Sequence, residues 1–216
     1  MARNFCAPTS RWLGESTEKD MRPDVFWIHA PLVGRLAIMP RPRAGEWLDD
    51  EVIGWRTEGV DTVVSLLELS EISELGLERE AELFQEHGIE LISFPIPDRG
   101  LPASLRDAAT LAQTVALQVR EGKAVAIHCR AGIGRSSVIA AGVLICSGLR
   151  ADEAFRLISI ARGVDVPDTE AQRHGVWQSN GHRSLDRTVV LSLNTACRRP
   201  IWLSGPAGAT THRRCH

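Results

Sequence analysis

The chain has 216 residues, of which 44% are hydrophobic and 24% charged, values that are ordinary for one soluble domain with a sizeable core. Its net charge of −2 and its lack of a basic stripe give no support for nucleic-acid binding. The five cysteines have no CxxC or regular spacing, so they predict neither a disulfide framework nor a metal site.

No targeting or membrane segment is predicted. Residues 1–24 lack the apolar core of a signal peptide, and the longest apolar run, Val138 to Cys146, is too short to cross a bilayer. We therefore expect a cytoplasmic protein with reduced thiols and no membrane contact. Nothing in the sequence specifies an oligomer, so a monomer is the default expectation.

Strands and helices alternate in the predicted first half of the chain. The apolar patterns predict two short strands within 26–39, a helix over 46–59 with Trp47, Val52 and Trp55 as core contacts, a strand over 61–67, a charged amphipathic helix over 73–88 and a strand over 91–94. This order predicts an α/β domain with a central, mainly parallel sheet flanked by helices. In such sheets ligands bind beyond the carboxyl ends of the strands.

A semi-rigid acidic loop follows the strand that ends at Phe94. The sequence from Pro95 to Pro102, PIPDRGLP, contains three prolines and a glycine and holds Asp98 over the predicted sheet edge. A carboxylic acid at this place can protonate a departing oxygen, so Asp98 is the candidate general acid. The alternative is that Asp98 caps the long helix predicted over 102–122.

The stretch AVAIHCRAGIGRS, from Ala124 to Ser136, predicts a strand, a loop and the start of a helix in succession. Residues 124–127 are apolar at every position, as expected for a strand that is covered on both faces. The loop glycines let successive backbone N–H groups turn inward, and the run SSVIAAGVLICSGL after Arg135 predicts a buried helix. An oxyanion is therefore expected to bind at the N-terminus of this helix.

Cys129 lies within this predicted anion site. The field of a helix N-terminus favours the thiolate of a cysteine, which is its nucleophilic form. The planar guanidinium of Arg135 can bind two phosphate oxygens at once. The predicted phosphate cradle is formed by Arg130, Ala131, Gly132, Ile133, Gly134 and Arg135. A buried, inert cysteine in a strand-to-helix turn is the alternative interpretation.

The sequence HCRAGIGRS resembles the active-site signature of the cysteine-based protein tyrosine phosphatases, in particular the compact dual-specificity branch. The pattern Pro-Asp-x-x-x-Pro around Asp98 resembles the acid loop of the same family. The resemblance covers roughly Val25 to Trp177. It implies a single phosphatase-like catalytic domain over 25–178, preceded by an N-terminal extension over 1–24.

Beyond this domain, residues 179–216 contain six arginines and one acidic residue, together with several glycines and prolines. This composition predicts a basic, poorly ordered C-terminal tail rather than a further packed unit. Such a tail could recruit an acidic partner, and a solvated terminus is the simpler expectation.

The resemblance implies phosphomonoester hydrolysis in two steps. Cys129 takes the phosphoryl group while Asp98 protonates the leaving oxygen, and Asp98 then deprotonates the water that hydrolyses the phosphocysteine. Arg135 stabilises the transferred group, and the Ser136 hydroxyl can donate a hydrogen bond to the Cys129 sulfur. His128 is expected to point away from the phosphate, to orient the loop by hydrogen bonding and so to favour the thiolate indirectly. No metal ion or other cofactor is required.

A further site element is expected after a helix predicted over 151–161. The segment from Pro167 to Gln172, PDTEAQ, resembles the family's Pro-x-Thr-x-x-Gln element, whose glutamine helps to position the hydrolytic water. The resemblance implies this role for Gln172. A solvated or helix-capping glutamine is the alternative.

A phosphorylated protein or peptide is the expected substrate. Position 133 is Ile, where similar phosphoinositide phosphatases usually carry lysine, although Arg130 keeps one cation at the rim. The chain also lacks the segment that deepens the pocket of phosphotyrosine-specific members. The resemblance thus implies a shallow cleft for phosphotyrosine that could also accept phosphoserine and phosphothreonine. Two other functions remain as alternatives: a phosphatase of phosphoinositides or other small molecules, and a catalytically idle phosphoprotein-binding module.

Overall fold

Residues 23–175 are the part of the chain that the computed structural model describes, so the predicted tail and almost all of the predicted N-terminal extension lie outside it. The strands in this part are β1 (Phe26–Trp27), β2 (Arg35–Met39), β3 (Thr62–Ser65), β4 (Glu90–Ser93) and β5 (Ala124–His128). The helices are α1 (Leu48–Thr57), α2 (Leu69–Glu74), α3 (Glu80–Glu86), α4 (Leu105–Arg120), α5 (Arg135–Cys146), α6 (Ala151–Arg162) and α7 (Glu170–Gly175). None of these described helices has both the length and the apolar character that a membrane span requires.

The five strands form one sheet in the order β1-β2-β5-β3-β4, with β5 at its centre. Only β1 is antiparallel to its neighbour, because the other strands are joined by helical crossovers that return the chain to the same end of the sheet. Every residue of β5 is buried, as its uninterrupted apolar run predicts. The predicted α/β domain with a mainly parallel sheet is confirmed.

Helices cover both faces of the sheet and create two apolar cores. α4, α5 and α6 pack on one face, and every residue of α5 is buried, so this helix is the centre of its layer. α1 and α3 cover the opposite face around Trp55 and Phe84, whose ring centroids are 5.7 Å apart. A sheet that is apolar on both faces needs both layers to exclude water from it.

The single helix predicted over 73–88 is wrong, because the structure contains two short helices there, α2 and α3. Gly76 has a left-handed backbone with φ of +66°, and its N–H donates to the Ser73 carbonyl at 3.2 Å. The Leu77 N–H donates to the Ile72 carbonyl at 2.9 Å, which closes the end of α2. The apolar periodicity on either side of this turn gives no sign of the break.

The prediction that Trp47 is a core contact is also wrong, whereas the prediction for Val52 and Trp55 is confirmed. Trp47 belongs to a short 3₁₀ helix over Gly45–Trp47 that precedes α1, and 46% of its surface is exposed. The side chain is covered on one face by the guanidinium of Arg43, which lies 5.3 Å from the ring centroid. A change of helix type at this point rotates Trp47 away from the face that Val52 and Trp55 share.

The parallel strands end together at one edge of the sheet. Met39 of β2 and Ser65 of β3 are both in register with His128 at the end of β5, and Ser93 of β4 pairs with Ser65. The loops that follow β5 and β4 and the start of α2 therefore begin side by side. This edge is the place where the predicted site residues come together.

Candidate active site

The nucleophile loop, residues 129–135, connects the end of β5 to the start of α5. Cys129 is buried, and its Sγ lies 3.5 Å from the Ser136 Oγ within hydrogen-bond range. As a thiol, Cys129 donates this hydrogen bond; as a thiolate, it accepts one from the hydroxyl. The structure therefore places Ser136 beside the sulfur, where its hydroxyl can stabilise negative charge.

Gly132 allows the nucleophile loop to pack against the end of β2. Its φ is +68°, and a Cβ at this position would lie 2.6 Å from the Met39 carbonyl carbon and 2.7 Å from the Pro40 nitrogen. These neighbours are backbone atoms and cannot move aside as a side chain can. Any larger residue at position 132 would therefore displace the loop that carries Cys129.

Arg162 of α6 binds the nucleophile loop from its outer side. The guanidinium donates to the Gly132 carbonyl at 3.2 Å and to the Ala131 carbonyl at 3.3 Å. Because C=O and N–H point in opposite directions across a trans peptide, the amides of Gly132 and Ile133 point away from Arg162. They are thus free to turn to an anion, as a phosphate cradle requires.

Arg135, the first residue of α5, lies at the floor of the site and binds the segments around it. Its guanidinium forms a bidentate ion pair with Glu71 of α2, with N–O distances of 2.6 and 2.8 Å. The same guanidinium donates to the carbonyls of Leu66 and Ile96 at 3.3 and 2.8 Å. Its Nη2 also donates to the Asp98 carboxylate at 2.9 Å. Arg135 therefore joins three segments of the sheet edge.

The charges and hydrogen bonds around Arg135 keep the buried pair of Arg135 and Glu71 ionised. Burial lowers the pKa of Arg135, but the hydrogen bond to Glu71 and the negative charges of Cys129, Glu71 and Asp98 outweigh burial and raise the pKa above its ordinary value. Burial also opposes the ionisation of Glu71. Hydrogen bonds from Arg135 and from the Glu68 backbone N–H outweigh it, so the pKa of Glu71 lies below its ordinary value.

Asp98 lies on the acid loop, residues 95–102, and is half exposed above Arg135. Arg99 beside it has a left-handed backbone with φ of +56°, and the Gly100 N–H donates to the Pro97 carbonyl at 2.8 Å, so the loop turns sharply at this point. α4 begins later, and Ser104 is its cap, accepting the Asp107 N–H at 3.2 Å. The alternative in which Asp98 caps this helix is therefore wrong.

Gln172 of α7 connects the acid loop to the nucleophile loop. Its Nε2 donates to the Gly100 carbonyl at 2.9 Å. Its Oε1 is buried, has no hydrogen-bond partner among the described residues, and would lie 2.8 Å from a Cβ at Gly134. An exposed ion pair of 3.5 Å between Arg99 and Asp168 also connects the acid loop to the segment that leads into α7.

His128 lies on the other face of the sheet from the cleft, as predicted. Its side chain is fully buried on the face that α1 and α3 cover, 3.3 Å from the Glu80 carboxylate. Neither ring nitrogen has a hydrogen-bond partner among the described residues, so the structure does not contain the side-chain hydrogen bond through which His128 was expected to orient the loop. His128 thus does not line the cleft, and neither does the fully buried Ser136, which reaches the site through its contact with the Cys129 sulfur.

The other predicted residues, except Gly132 and Ser136, line one cleft with a volume of about 200 Å³. The buried Cys129 and Arg135 form its floor, and the half-exposed Asp98 and the buried Gln172 also line it. The lining is formed by Asp98, Arg99, Cys129, Arg130, Ala131, Ile133, Gly134, Arg135, Asp168 and Gln172. A nucleophile, a buried cation and a half-exposed carboxylic acid in one cleft can carry out phosphoryl transfer.

Glu71, Arg99 and Asp168 also belong to the site, although they are not among the predicted site residues. Glu71 comes shortly after β3 and thus near the carboxyl end of a buried parallel strand, which is the signal that could have indicated it. Arg99 and Asp168 come together only because two distant loops pack on one another, and no local pattern shows this.

The fold and this cleft define a cysteine-based phosphatase of the tyrosine and dual-specificity type. A family model described as a DSP-PTPase phosphatase of polymorphic toxin systems matches residues 37–149, and the chain belongs to this family. The match includes Asp98, Cys129 and Arg135 within its bounds.

Two curated relatives resemble only part of the chain. Protein tyrosine phosphatase domain-containing protein 1 of Danio rerio is 34% identical over 113 residues, which are 48% of this chain and 16% of that protein. Cyclin-dependent kinase inhibitor 3 of Rattus norvegicus is 28% identical over 90 residues, which are 42% of each chain. The chain thus spans less than half the length of these relatives.

Two solved structures share the fold over most of their length. Kinase associated phosphatase, with its catalytic-site cysteine replaced by serine, has a TM-score of 0.65 and 18% identity, covering 71% of this chain and 91% of that one. Tk-PTP in its active form has a TM-score of 0.56 and 30% identity, covering 71% of this chain and 93% of that one.

Proposed function

We propose that this chain hydrolyses phosphate monoesters on protein side chains, phosphotyrosine first and also phosphoserine and phosphothreonine, through a phosphocysteine on Cys129. The observation that carries this proposal is the convergence of Cys129, Arg135 and Asp98 on one cleft, with Asp98 2.9 Å from the Arg135 guanidinium. The three groups supply the nucleophile, the phosphate-binding cation and the general acid that such a hydrolysis needs.

In the first step, the phosphate group takes the place of the Asp98 carboxylate on Nη2 of Arg135. The approach of the phosphate dianion favours the neutral, protonated form of Asp98, because two negative charges at one guanidinium repel each other. Sγ of Cys129 attacks phosphorus, and the bond from phosphorus to the leaving oxygen breaks. Asp98 gives its proton to that oxygen.

In the second step, a water molecule attacks the phosphorus of the phosphocysteine and the P–S bond breaks. The Asp98 carboxylate takes a proton from the water, and the buried Oε1 of Gln172, which has no other partner among the described residues, accepts a hydrogen bond from the remaining O–H. The electron pair of the broken bond returns to Cys129. The Ser136 hydroxyl, 3.5 Å from the sulfur, donates a hydrogen bond to the departing thiolate.

The pairing of the rim arginines supports a singly phosphorylated substrate. Arg130 is 2.7 Å from Glu74, and Arg99 is 3.5 Å from Asp168, so neither of these rim cations faces the cleft without a carboxylate beside it. Ile133 adds an apolar side chain to the lining. A polyphosphorylated inositol headgroup would need several uncompensated cations, which favours a phosphoprotein over this alternative.

Turnover of para-nitrophenyl phosphate by the full chain, without added metal and with inhibition by vanadate, tests the proposal. We expect Cys129→Ser to reduce turnover to the background rate, because the hydroxyl is not ionised at neutral pH. Cys146→Ser, which changes the other buried thiol of the described residues, is the matched control and should retain activity. Turnover by Cys129→Ser at the wild-type rate would contradict the proposed nucleophile. Binding of phosphopeptide without turnover would instead indicate the idle module.

The role of Asp98 is tested by the chemistry of the leaving group. We expect Asp98→Asn to slow the hydrolysis of alkyl phosphates by about 10²–10⁴, and that of activated aryl esters far less, because only poor leaving groups need a proton. Asp168→Asn, the other carboxylate of the cleft, is the control and should change both rates alike. If Asp98→Asn leaves the pH profile unchanged and slows alkyl and aryl esters equally, Asp98 is not the general acid.

Substrate class is tested with matched panels of phosphopeptides and phosphoinositides under one set of conditions. The proposal predicts higher kcat/KM for phosphotyrosine peptides than for any inositol lipid. A preference for the lipids would favour the alternative of a small-molecule phosphatase and would leave the assignment of Cys129 as nucleophile unchanged.

A further inference from the structure

A group of buried polar atoms lies beneath the nucleophile, on the face of the sheet opposite the cleft. His128 is fully buried, and the side chain of Glu80 has only 4% of its surface exposed. Oε1 of Glu80 is 3.3 Å from Nε2 of His128, yet the described residues give neither atom a hydrogen bond of good geometry. The Trp55 indole N–H and the Ser65 hydroxyl are also buried and without a partner in this part of the chain.

The sheet register and the ring contacts show that these groups belong together. Ser65 is in register with His128 on the neighbouring strand β3, so both side chains leave the sheet on the same face. The Trp55 ring centroid is 6.4 Å from that of His128. Met39 is the register neighbour of His128 on β2. Of these groups around the imidazole, only Glu80 is acidic.

A carboxylate in such a place is costly unless something in the structure compensates for it. Transfer of an ionised carboxyl from water into an apolar core is strongly unfavourable, and within residues 23–175 the ion pair seen for the Glu80 side chain is with the His128 imidazole. A hydrophobic residue of similar volume would fill the same space between α3 and the sheet without this cost. The hydrolytic steps derived above make no use of Glu80.

We propose that Glu80 is a positioning residue for the nucleophile, which acts through His128. Its carboxylate holds the imidazole as the positive end of a buried ion pair directly behind Cys129. His128 directly precedes Cys129 in the chain, so the positive charge of the pair is carried by the residue next to the nucleophile. This orientation favours the Cys129 thiolate, and the inference therefore rests on the proposed nucleophile.

The pair also fixes the end of β5 mechanically. The His128 carbonyl accepts the Leu66 N–H at 3.0 Å, which ties the backbone of this residue to the segment after β3. With its ring held by Glu80, His128 has both its backbone and its side chain anchored. The Cys129 backbone thus leaves the strand in one direction.

The test is the pH dependence of Cys129 alkylation by iodoacetamide in the full chain, with the modified peptide quantified by mass spectrometry. We expect Glu80→Gln, which keeps the volume of the side chain and removes its charge, to move the midpoint of this profile upward by about half to one pH unit. That shift corresponds to roughly three- to tenfold slower alkylation below the midpoint. The acidic limb of kcat/KM should move with it.

Glu82→Gln is the matched control, because Glu82 lies on the same helix and pairs with Arg79 at the surface. It should leave the alkylation midpoint where it is. An unchanged midpoint in Glu80→Gln would overturn the proposal, since a merely structural Glu80 would change the unfolding transition and not the titration. Activity of Cys129→Ser would instead contradict the nucleophile itself, so the two failures are distinguishable.

The route through His128 is tested by a double-mutant cycle. In a His128→Asn background the Glu80→Gln change should have no further effect on the midpoint, because the charged ring through which it acts is gone. The same shift in both backgrounds would overturn the proposed route. If Glu80→Gln does not fold, ¹⁵N NMR of the wild-type imidazole decides the matter. Protons on both ring nitrogens at pH 7 support the ion pair, and a neutral ring contradicts it.

Discussion

The floor and the rim of the cleft both carry arginine–carboxylate pairs, but the two regions differ in burial and geometry. At the floor, the side chains of Arg135 and Glu71 are 1% and 6% exposed and meet through two hydrogen bonds. At the rim, those of Arg130 and Glu74 are 41% and 60% exposed and meet through one contact of 2.7 Å. The floor pair is shielded from water and salt, whereas the rim pair is not.

This difference in burial indicates that the floor and the rim have different roles. In the proposed function, phosphate is recognised by the Arg135 guanidinium, whose position is fixed by Glu71 and by two backbone carbonyls. The substrate would then be selected by rim side chains, which can exchange partners at little cost. Asp98 bridges the two regions, because it is half exposed and still reaches Arg135. It can thus leave the guanidinium when phosphate arrives, while Glu71 stays in place.

Of the predicted changes, Arg135→Lys should reduce activity the most, and it tests whether the floor and the rim differ in function. Lysine keeps the charge but loses the bidentate geometry, so kcat/KM for para-nitrophenyl phosphate should fall by about 10³. Arg130→Lys at the rim, the matched control, should change it by less than about fivefold. Similar losses for both variants, with circular dichroism showing folded proteins, would remove the distinction between floor and rim.

Glu71→Gln should destabilise the fold by about 3 kcal/mol, because it leaves a buried guanidinium partly uncompensated. Glu74→Gln, which breaks the exposed pair, should cost less than about 1 kcal/mol. Urea denaturation followed by tryptophan fluorescence measures both values. Equal costs would mean that burial does not distinguish the two pairs.

The stability that Glu71 contributes should depend on pH in a direction set by its pKa. Because the folded-state pKa of Glu71 lies below its ordinary value of 4.5, the contribution is complete above that value and is lost as the pH falls through the folded-state pKa. The difference in unfolding free energy between wild type and Glu71→Gln should therefore shrink on acidification below pH 4.5. A difference that stays constant down to pH 3 would contradict the assigned ion pair.

The smallest effect on activity is expected from the exposed pair of Arg99 and Asp168 at the rim. Asp168→Asn frees Arg99, so KM for a phosphopeptide should change by no more than about threefold at low salt. Because exposed charges are screened, the change should disappear at 0.5 M salt. A large effect that persists at high salt would show that Asp168 belongs to the fixed part of the site.

The nucleophile loop could be predicted from sequence because its determinants are close together in the chain. An apolar strand, a glycine-containing turn and a buried helix follow one another within residues 124–146, and each has a local signal. The acid loop was predictable for the same reason, since its prolines lie on both sides of Asp98. The family resemblance placed both loops in one site.

The partners of these residues could not be predicted in the same way. Glu71 lies 64 positions before Arg135 in the sequence, and Gln172 lies 72 positions after Gly100. The break at Gly76 and the exposed Trp47 show that even local elements were misjudged where a turn or a change of helix type interrupts the pattern. Periodicity reports which face of an element is apolar, but not where the element ends.

The sequence by itself thus determined the α/β class, the order of the elements and the identity of the reactive groups, because these depend on residue type and short-range spacing. Only the tertiary structure decided that Glu71 pairs with Arg135 and that Glu80 lies beside His128. It also decided that Gln172 binds the acid loop next to the nucleophile loop. These pairings come from the meeting of distant strand ends at one sheet edge, and burial there makes some of them strong and leaves others weak.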